Sequence, residues 1–130
     1  MSAKVLYIED NPDNMTLVRR AMEAIGLTFV GMPNGIDGLK KAEEISPDLI
    51  LLDINLPDID GYEIARRLRA SSNQHLLYVP IIAITANALK GDAEKAIEAG
   101  CDVYMSKPIN IRELWARVEG LLDSTKNIKK

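Results

Sequence analysis

With 130 residues, 47% hydrophobic and 27% charged, the chain is sized for one domain around one buried core, and its composition excludes a disordered or collagen-like polymer. Sixteen basic against nineteen acidic residues leave a formal net charge of −3, which argues against an electrostatic nucleic-acid binder. The single cysteine, Cys101, has no internal disulfide partner, so a reducing, cytoplasmic setting is the default; the apolar run before Glu9 is too short for a signal peptide, and no stretch reaches the ~18 residues that span a bilayer.

Residues 5–8 form a β-branched and aliphatic run, read as a first strand. Met15, Val18, Met22 and Ile25 follow at helical spacing, and Gly26 stands where that helix should stop. A second strand is expected at 28–30, and a second helix from Ile36, Leu39, Ala42 and Ile45. The runs at 49–52 and 80–84 are apolar on both faces, which suits central strands of a parallel sheet covered on both sides. Between them Tyr62, Ala65 and Leu68 suggest a third helix, while the polar run 71–75 reads as a loop exposing His75. Leu89, Ala93, Ala96 and Ile97 suggest a fourth helix ended by Gly100, and 103–105 a fifth strand. Ile111, Leu114, Trp115, Val118, Leu121 and Leu122 form the strongest stripe, with Asn110 as its cap. Residues 126–130 read as a frayed, solvated end. The expected organisation is one domain over 1–124, a short basic tail over 125–130 and no output domain.

This alternation predicts an α/β protein, a doubly wound parallel five-stranded sheet between two helical layers joined by right-handed crossovers. Such sheets place ligands beyond the carboxyl ends of their strands. Glu9 and Asp10 follow strand 1, Asp53 and Asn55 strand 3, Thr85 and Asn87 strand 4, and Lys107-Pro108 strand 5. Three carboxylates on one rim repel one another unless a cation neutralises them, and hard oxygen ligands in a small, partly solvated site suit Mg²⁺. A metal, a lysine and a hydroxyl beside a carboxylate form a phosphoryl-transfer arrangement, with Asp53 on the central strand as the natural nucleophile.

Glu9-Asp10, Asp53, Thr85-Ala86 and Lys107-Pro108, in this order and at these spacings, resemble the receiver domain of two-component response regulators over nearly the whole chain. The resemblance implies a flavodoxin-like (βα)5 fold with strand order 2-1-3-4-5. It implies that Asp53 accepts a phosphoryl group from a phosphohistidine on a histidine kinase or phosphotransfer protein. It assigns Mg²⁺ (with Mn²⁺ as a substitute) to Asp10 and Asp53 directly, to the Asn55 backbone carbonyl, and to Glu9 through water. Thr85 and Lys107 would bind phosphoryl oxygens, Pro108 would follow a cis peptide bond, and Tyr104 would be the switch aromatic. Asn55 and Asn87 fall at variable positions that tune phosphoaspartate lifetime. Output would pass to a downstream protein through the fourth helix, fifth strand and fifth helix, from a cytoplasmic monomer or weak dimer binding neither nucleic acid nor membrane, and not acting as a metabolic enzyme. The similarity is strongest to single-domain bacterial cell-cycle regulators and to receivers of hybrid kinases and phosphorelays, and an excised receiver of the second kind is the alternative.

Taken singly, the motifs are weak. Glu9, Asp10 and Asp13 suit a solvated helix-capping turn, Thr85 a strand terminus, Lys107 a surface charge, and Tyr104 and Trp115 packing. Other functions fit less well. A flavin carrier cradles phosphate after strand 1, where Glu-Asp-Asn-Pro-Asp would repel it, and no G-x-G-x-x-G occurs. A haloacid-dehalogenase-like phosphohydrolase needs an acid two residues after its nucleophile, where Asp53 has Asn55 and Asp10 has Pro12. A phosphate-independent pseudo-receiver is disfavoured by the complete set of site residues.

Overall fold

A computed structural model describes residues 2–86 and 91–129, with side chains as far as Asp123. The strands are β1 (Lys4–Ile8), β2 (Thr28–Met32), β3 (Leu49–Asp53), β4 (Ile81–Thr85) and β5 (Val103–Ser106). The helices are α1 (Pro12–Ala24), α2 (Gly35–Ile45), α3 (Gly61–Arg69), α4 (Gln74–Tyr78), α5 (Asp92–Ala99) and α6 (Ile111–Lys129). All pairings are parallel and the strand order is β2-β1-β3-β4-β5, the doubly wound, flavodoxin-like arrangement.

Alternation along each strand divides the interior in two. Leu6, Ile8, Ile50, Leu52, Ile81 and Ala83 face the layer of α2, α3, α4 and α5. Val5, Tyr7, Leu49, Leu51, Ile82 and Ile84 face α1 and α6. Every residue of β3 and β4 is buried, which is why both read as unbroken apolar runs. Trp115 is a packing residue on α6, its indole Nε1 donating to the Ala21 carbonyl at 2.8 Å.

Caps fix the helix ends. Asn11, Asn34 and Asp60 accept backbone N–H groups at the starts of α1, α2 and α3. Gly26 (φ 82°) and Gly100 (φ 112°) take the left-handed backbone just past α1 and α5. Asn110 caps α6 through the Glu113 N–H at 3.0 Å.

Three expectations need correction. The polar run after α3 is a loop only over 71–73: Asn73 accepts the His75 N–H, Leu76 is fully buried, and a single helical turn, α4, begins at Gln74. His75 is accordingly half-buried, with its Nε2 against the Pro47 carbonyl oxygen. The expected fourth and fifth helices are therefore α5 and α6; α5 begins at Asp92, and the expected Leu89 position lies outside the described residues. Third, α6 continues to Lys129, so residues 126–129 of the stretch expected as a frayed tail are helical backbone, with no proline to stop it, and residue 130 lies outside the described residues.

Arg69 ties the amino ends of β4 and β5 to α3 and α4. Its Nε donates to the Gly100 carbonyl at 2.9 Å, Nη1 to the Leu76 carbonyl at 3.0 Å and Nη2 to Asp102 Oδ2 at 2.9 Å. The same Asp102 oxygen accepts the Ile81 N–H that opens β4. Cys101, beside this knot, is buried, and burial pushes its thiol up to about 11, so it is inert as a nucleophile.

Candidate functional site

The chain leaves β1 to one side for β2 and returns to its other side for β3, so the crevice of this sheet lies at the carboxyl ends of β1 and β3. Ladder-like hydrogen bonds continue past the strand ends and fix the backbone there. Glu9 N donates to Met32 O at 3.0 Å, Ile54 N to Ile84 O at 2.9 Å and Lys107 N to Thr85 O at 2.7 Å. Glu9, Asp10, Asp53, Thr85 and Lys107 thus meet on one rim. Glu9 and Asp53 are each 1% exposed and Thr85 2%, whereas Asp10 faces solvent.

Two buried carboxylates share one ammonium. Lys107 Nζ lies 3.0 Å from Glu9 Oε1 and 3.4 Å from Asp53 Oδ2. Asp53 Oδ1 also accepts the Asn55 N–H at 3.0 Å. Glu9 Oε1 accepts the Tyr7 hydroxyl at 2.8 Å and Asn14 Nδ2 at 3.3 Å, and Oε2 accepts the Asn11 N–H at 3.2 Å. The Asn55 side-chain carbonyl spans the rim to β4, accepting from Thr85 Oγ1 at 3.2 Å and from the Ala86 N–H at 3.3 Å. Asp58 closes the same loop onto α2, its two oxygens each 2.9 Å from the N–H groups of Gly35 and Ile36.

Burial, reinforced by the neighbouring Glu9 carboxyl, pushes Asp53 up to about 6. For Glu9 burial acts in the same direction, but hydrogen bonds with Asp53, Lys107 and Tyr7 outweigh it and hold Glu9 well below the usual carboxylate range. Burial opposes the Lys107 charge, and the two carboxylates override it, holding the ammonium above its ordinary value. The pair thus gives up its first proton readily and its second only at about 6, because burial and the neighbouring carboxyl disfavour a second anion beside one shared lysine.

The unbalanced charge suits a divalent cation. One oxygen each from Glu9, Asp10 and Asp53 lies within 4.8 Å of the others, and the donor set contains neither nitrogen nor sulfur. Three hard oxygens at a half-open rim fit Mg²⁺, which keeps several waters, rather than Zn²⁺.

Of the residues singled out from the sequence, Glu9, Asp10, Asp53, Asn55, Thr85 and Lys107 converge, and the Lys107–Pro108 peptide is cis. Tyr104 is half-buried, packed against the core on the α3–α5 side of the sheet. Asn87 lies outside the described residues. Sequence reasoning missed Tyr7 and Asn14, both on Glu9. The signal for Tyr7 was the strand period of two, which puts residues 7 and 9 on one face.

The response regulator receiver domain family matches residues 5–119. The polar-differentiation response regulator DivK of Brucella anthropi is 42% identical over 111 residues, covering 85% of this chain and 89% of that protein, and DivK of Brucella ovis is 41% identical over the same shares. The receiver domain of sensor histidine kinase PA1611 from Pseudomonas aeruginosa, solved with a magnesium ion coordinated in the active site cleft, is 36% identical with a TM-score of 0.85, covering 95% of this chain and 99% of that one. The Francisella response regulator 1452 receiver domain is 26% identical with a TM-score of 0.87, covering 95% and 99%. The family match runs from β1 into α6 and takes in every rim residue from Glu9 to Lys107: the chain belongs to the response regulator receiver family.

Proposed function

We propose that this receiver is a phosphoacceptor, with Asp53 taking a phosphoryl group from the phosphohistidine of a histidine kinase or histidine phosphotransfer protein. An Asp53 carboxylate oxygen attacks phosphorus, the P–O bond forms as the P–N bond breaks, and the imidazole nitrogen leaves with the electron pair. The observation that carries this reading is the buried Asp53 carboxylate held within reach of both Lys107 and the Glu9–Asp10 oxygens. Asp10 and Asp53 with the Asn55 backbone carbonyl, and Glu9 through water, would hold Mg²⁺ or Mn²⁺. When bound, the cation offsets charge on the phosphoryl oxygens. Lys107 supplies the second positive charge, and Thr85 Oγ1 and Ala86 N, both on Asn55 at rest, are the donors placed to turn toward a phosphoryl oxygen.

The switch follows from that transfer of hydrogen bonds. Thr85 moving inward vacates space that Tyr104 on the neighbouring strand can take, which alters the surface of α5, β5 and α6 and so the affinity for a downstream protein. The chain is then a cytoplasmic signalling module rather than a metabolic enzyme; among the described residues no helix is long and apolar enough to cross a membrane. The DivK likeness supports a regulator of cell differentiation, and the likeness to a sensor-kinase receiver supports a second reading, as the receiver of a hybrid kinase or phosphorelay. Incubation with acetyl phosphate and Mg²⁺ should add one phosphoryl group by intact mass and none to Asp53→Asn; equal labelling of that variant would refute Asp53 as the acceptor.

A further inference from the structure

Among the described residues four donors meet the Glu9 carboxylate, and they are unevenly divided. Oε1 takes three donors, Tyr7 Oη at 2.8 Å, Lys107 Nζ at 3.0 Å and Asn14 Nδ2 at 3.3 Å; Oε2 takes only the Asn11 N–H at 3.2 Å. The donors differ in how firmly they are held. Asn14 is half-exposed on the first turn of α1, and Lys107 is shared with Asp53. Tyr7 is fully buried on β1, paired in the ladder with Gly31 and Leu51, and its ring meets Phe29 edge-on at 6.4 Å. Phe29 is itself covered by Arg19, whose guanidinium carbon lies 5.5 Å from the ring centroid. A ring so enclosed cannot swing, so its hydroxyl is a donor with one fixed direction. Packing alone does not call for that oxygen: phenylalanine would fill the same apolar layer without a polar group needing a partner.

We propose that Tyr7 is a positioning residue of the metal site. Its hydroxyl commits Glu9 Oε1 to the protein, beside Lys107, and so leaves Oε2, with one long hydrogen bond, as the oxygen with acceptor capacity to spare for a hydrated divalent cation. Glu9 is then prearranged before the cation arrives, instead of being drawn out of its contact with Lys107. The proposal rests on the Mg²⁺-dependent reading of the site given above.

The test is Tyr7→Phe, which keeps the ring and removes one oxygen, compared with wild type and Asp10→Ala by calorimetric Mg²⁺ titration well below the melting temperature. Tyr7→Phe should melt cooperatively and bind Mg²⁺ about tenfold more weakly, the range found when partners of metal ligands are removed. In the wild type, the Tyr7 hydroxyl proton, buried and hydrogen-bonded, should give a slowly exchanging NMR resonance that shifts on Mg²⁺ saturation; this readout needs no mutant fold and is insensitive to mere loss of stability. Unchanged affinity in Tyr7→Phe, or a hydroxyl resonance unmoved by Mg²⁺, overturns the role of Tyr7 while leaving the metal site standing. Wild type binding no Mg²⁺, or binding it no better than Asp10→Ala, overturns the metal reading and this inference together.

Discussion

Removing the charge of Asp53 should stabilise the metal-free protein. The Asp53 carboxyl is raised from 3.8 to about 6, with burial the main cause and Glu9 the next. At ~1.4 kcal/mol per unit, ionising it in the folded state costs about 3 kcal/mol. Its side chain is only 2% exposed, so solvent screening takes little from that figure. The raised carboxyl fixes the sign: the folded state holds the proton more tightly, so the penalty is absent below about pH 4, grows as pH rises, and is complete above about 6. Glu9, held well below the usual range, stays charged throughout this window. Asp53→Asn should therefore be about 1–3 kcal/mol more stable at pH 7 without metal, the lower end allowing for an amide that faces Lys107 less favourably, and the gap should close near pH 4. Urea unfolding followed by the Trp115 signal measures it. Mg²⁺ should act oppositely, stabilising the wild type by ~2.7 kcal/mol at a hundredfold excess over Kd and the variant much less. An Asn variant no more stable at pH 7, or a gap indifferent to pH, would refute the account of uncompensated buried charge.

Asp10→Ala should leave folding within about 0.5 kcal/mol, because the residue is exposed, yet weaken Mg²⁺ binding at least tenfold by calorimetry. Gly61→Ala should cost about 1–3 kcal/mol and slow labelling by acetyl phosphate, since a Cβ there would stand 2.5 Å from Ile54 Cα and 2.8 Å from the Asp53 carbonyl, backbone that cannot yield without moving the acceptor. Arg69→Ala should cost ~2 kcal/mol in urea unfolding with Mg²⁺ affinity unaltered, because its three acceptors lie at the amino ends of the strands, away from the site.

What could be read from sequence was whatever repeats or whatever topology forces. β3 and β4 are buried on both faces and announce themselves as apolar runs, and α1 and α6 carry stripes long enough to count. The rim followed because parallel strands bring their carboxyl ends together, so Asp10, Asp53, Thr85 and Lys107 had to share an edge. The short α4 could not be read this way: five residues with one buried side chain, Leu76, make no stripe, and the Asn73 cap shows only in the structure. Tyr7 was hidden inside an apolar run where tyrosine is an ordinary strand former. The preference of Lys107 for Glu9 over Asp53, 3.0 against 3.4 Å, and the Asp58 clamp on α2 depend on three-dimensional approach between distant segments, which no local pattern encodes.

The parallel register also bears on how the molecule comes into being. Among the described residues no ladder is a hairpin: even the shortest closure there joins Ile82 to Val103, and β1 has to wait for residues as far away as Leu49 before its second edge is covered. Closing loops of that length comes before any reward from pairing, which makes folding of such a sheet slow compared with a meander of the same size. It also orders assembly on the ribosome. Every residue of the β1–β3 pairing that joins Glu9 and Asp10 to Asp53 is synthesised before Lys107, which arrives only with β5, so the acidic crevice gains its lysine last.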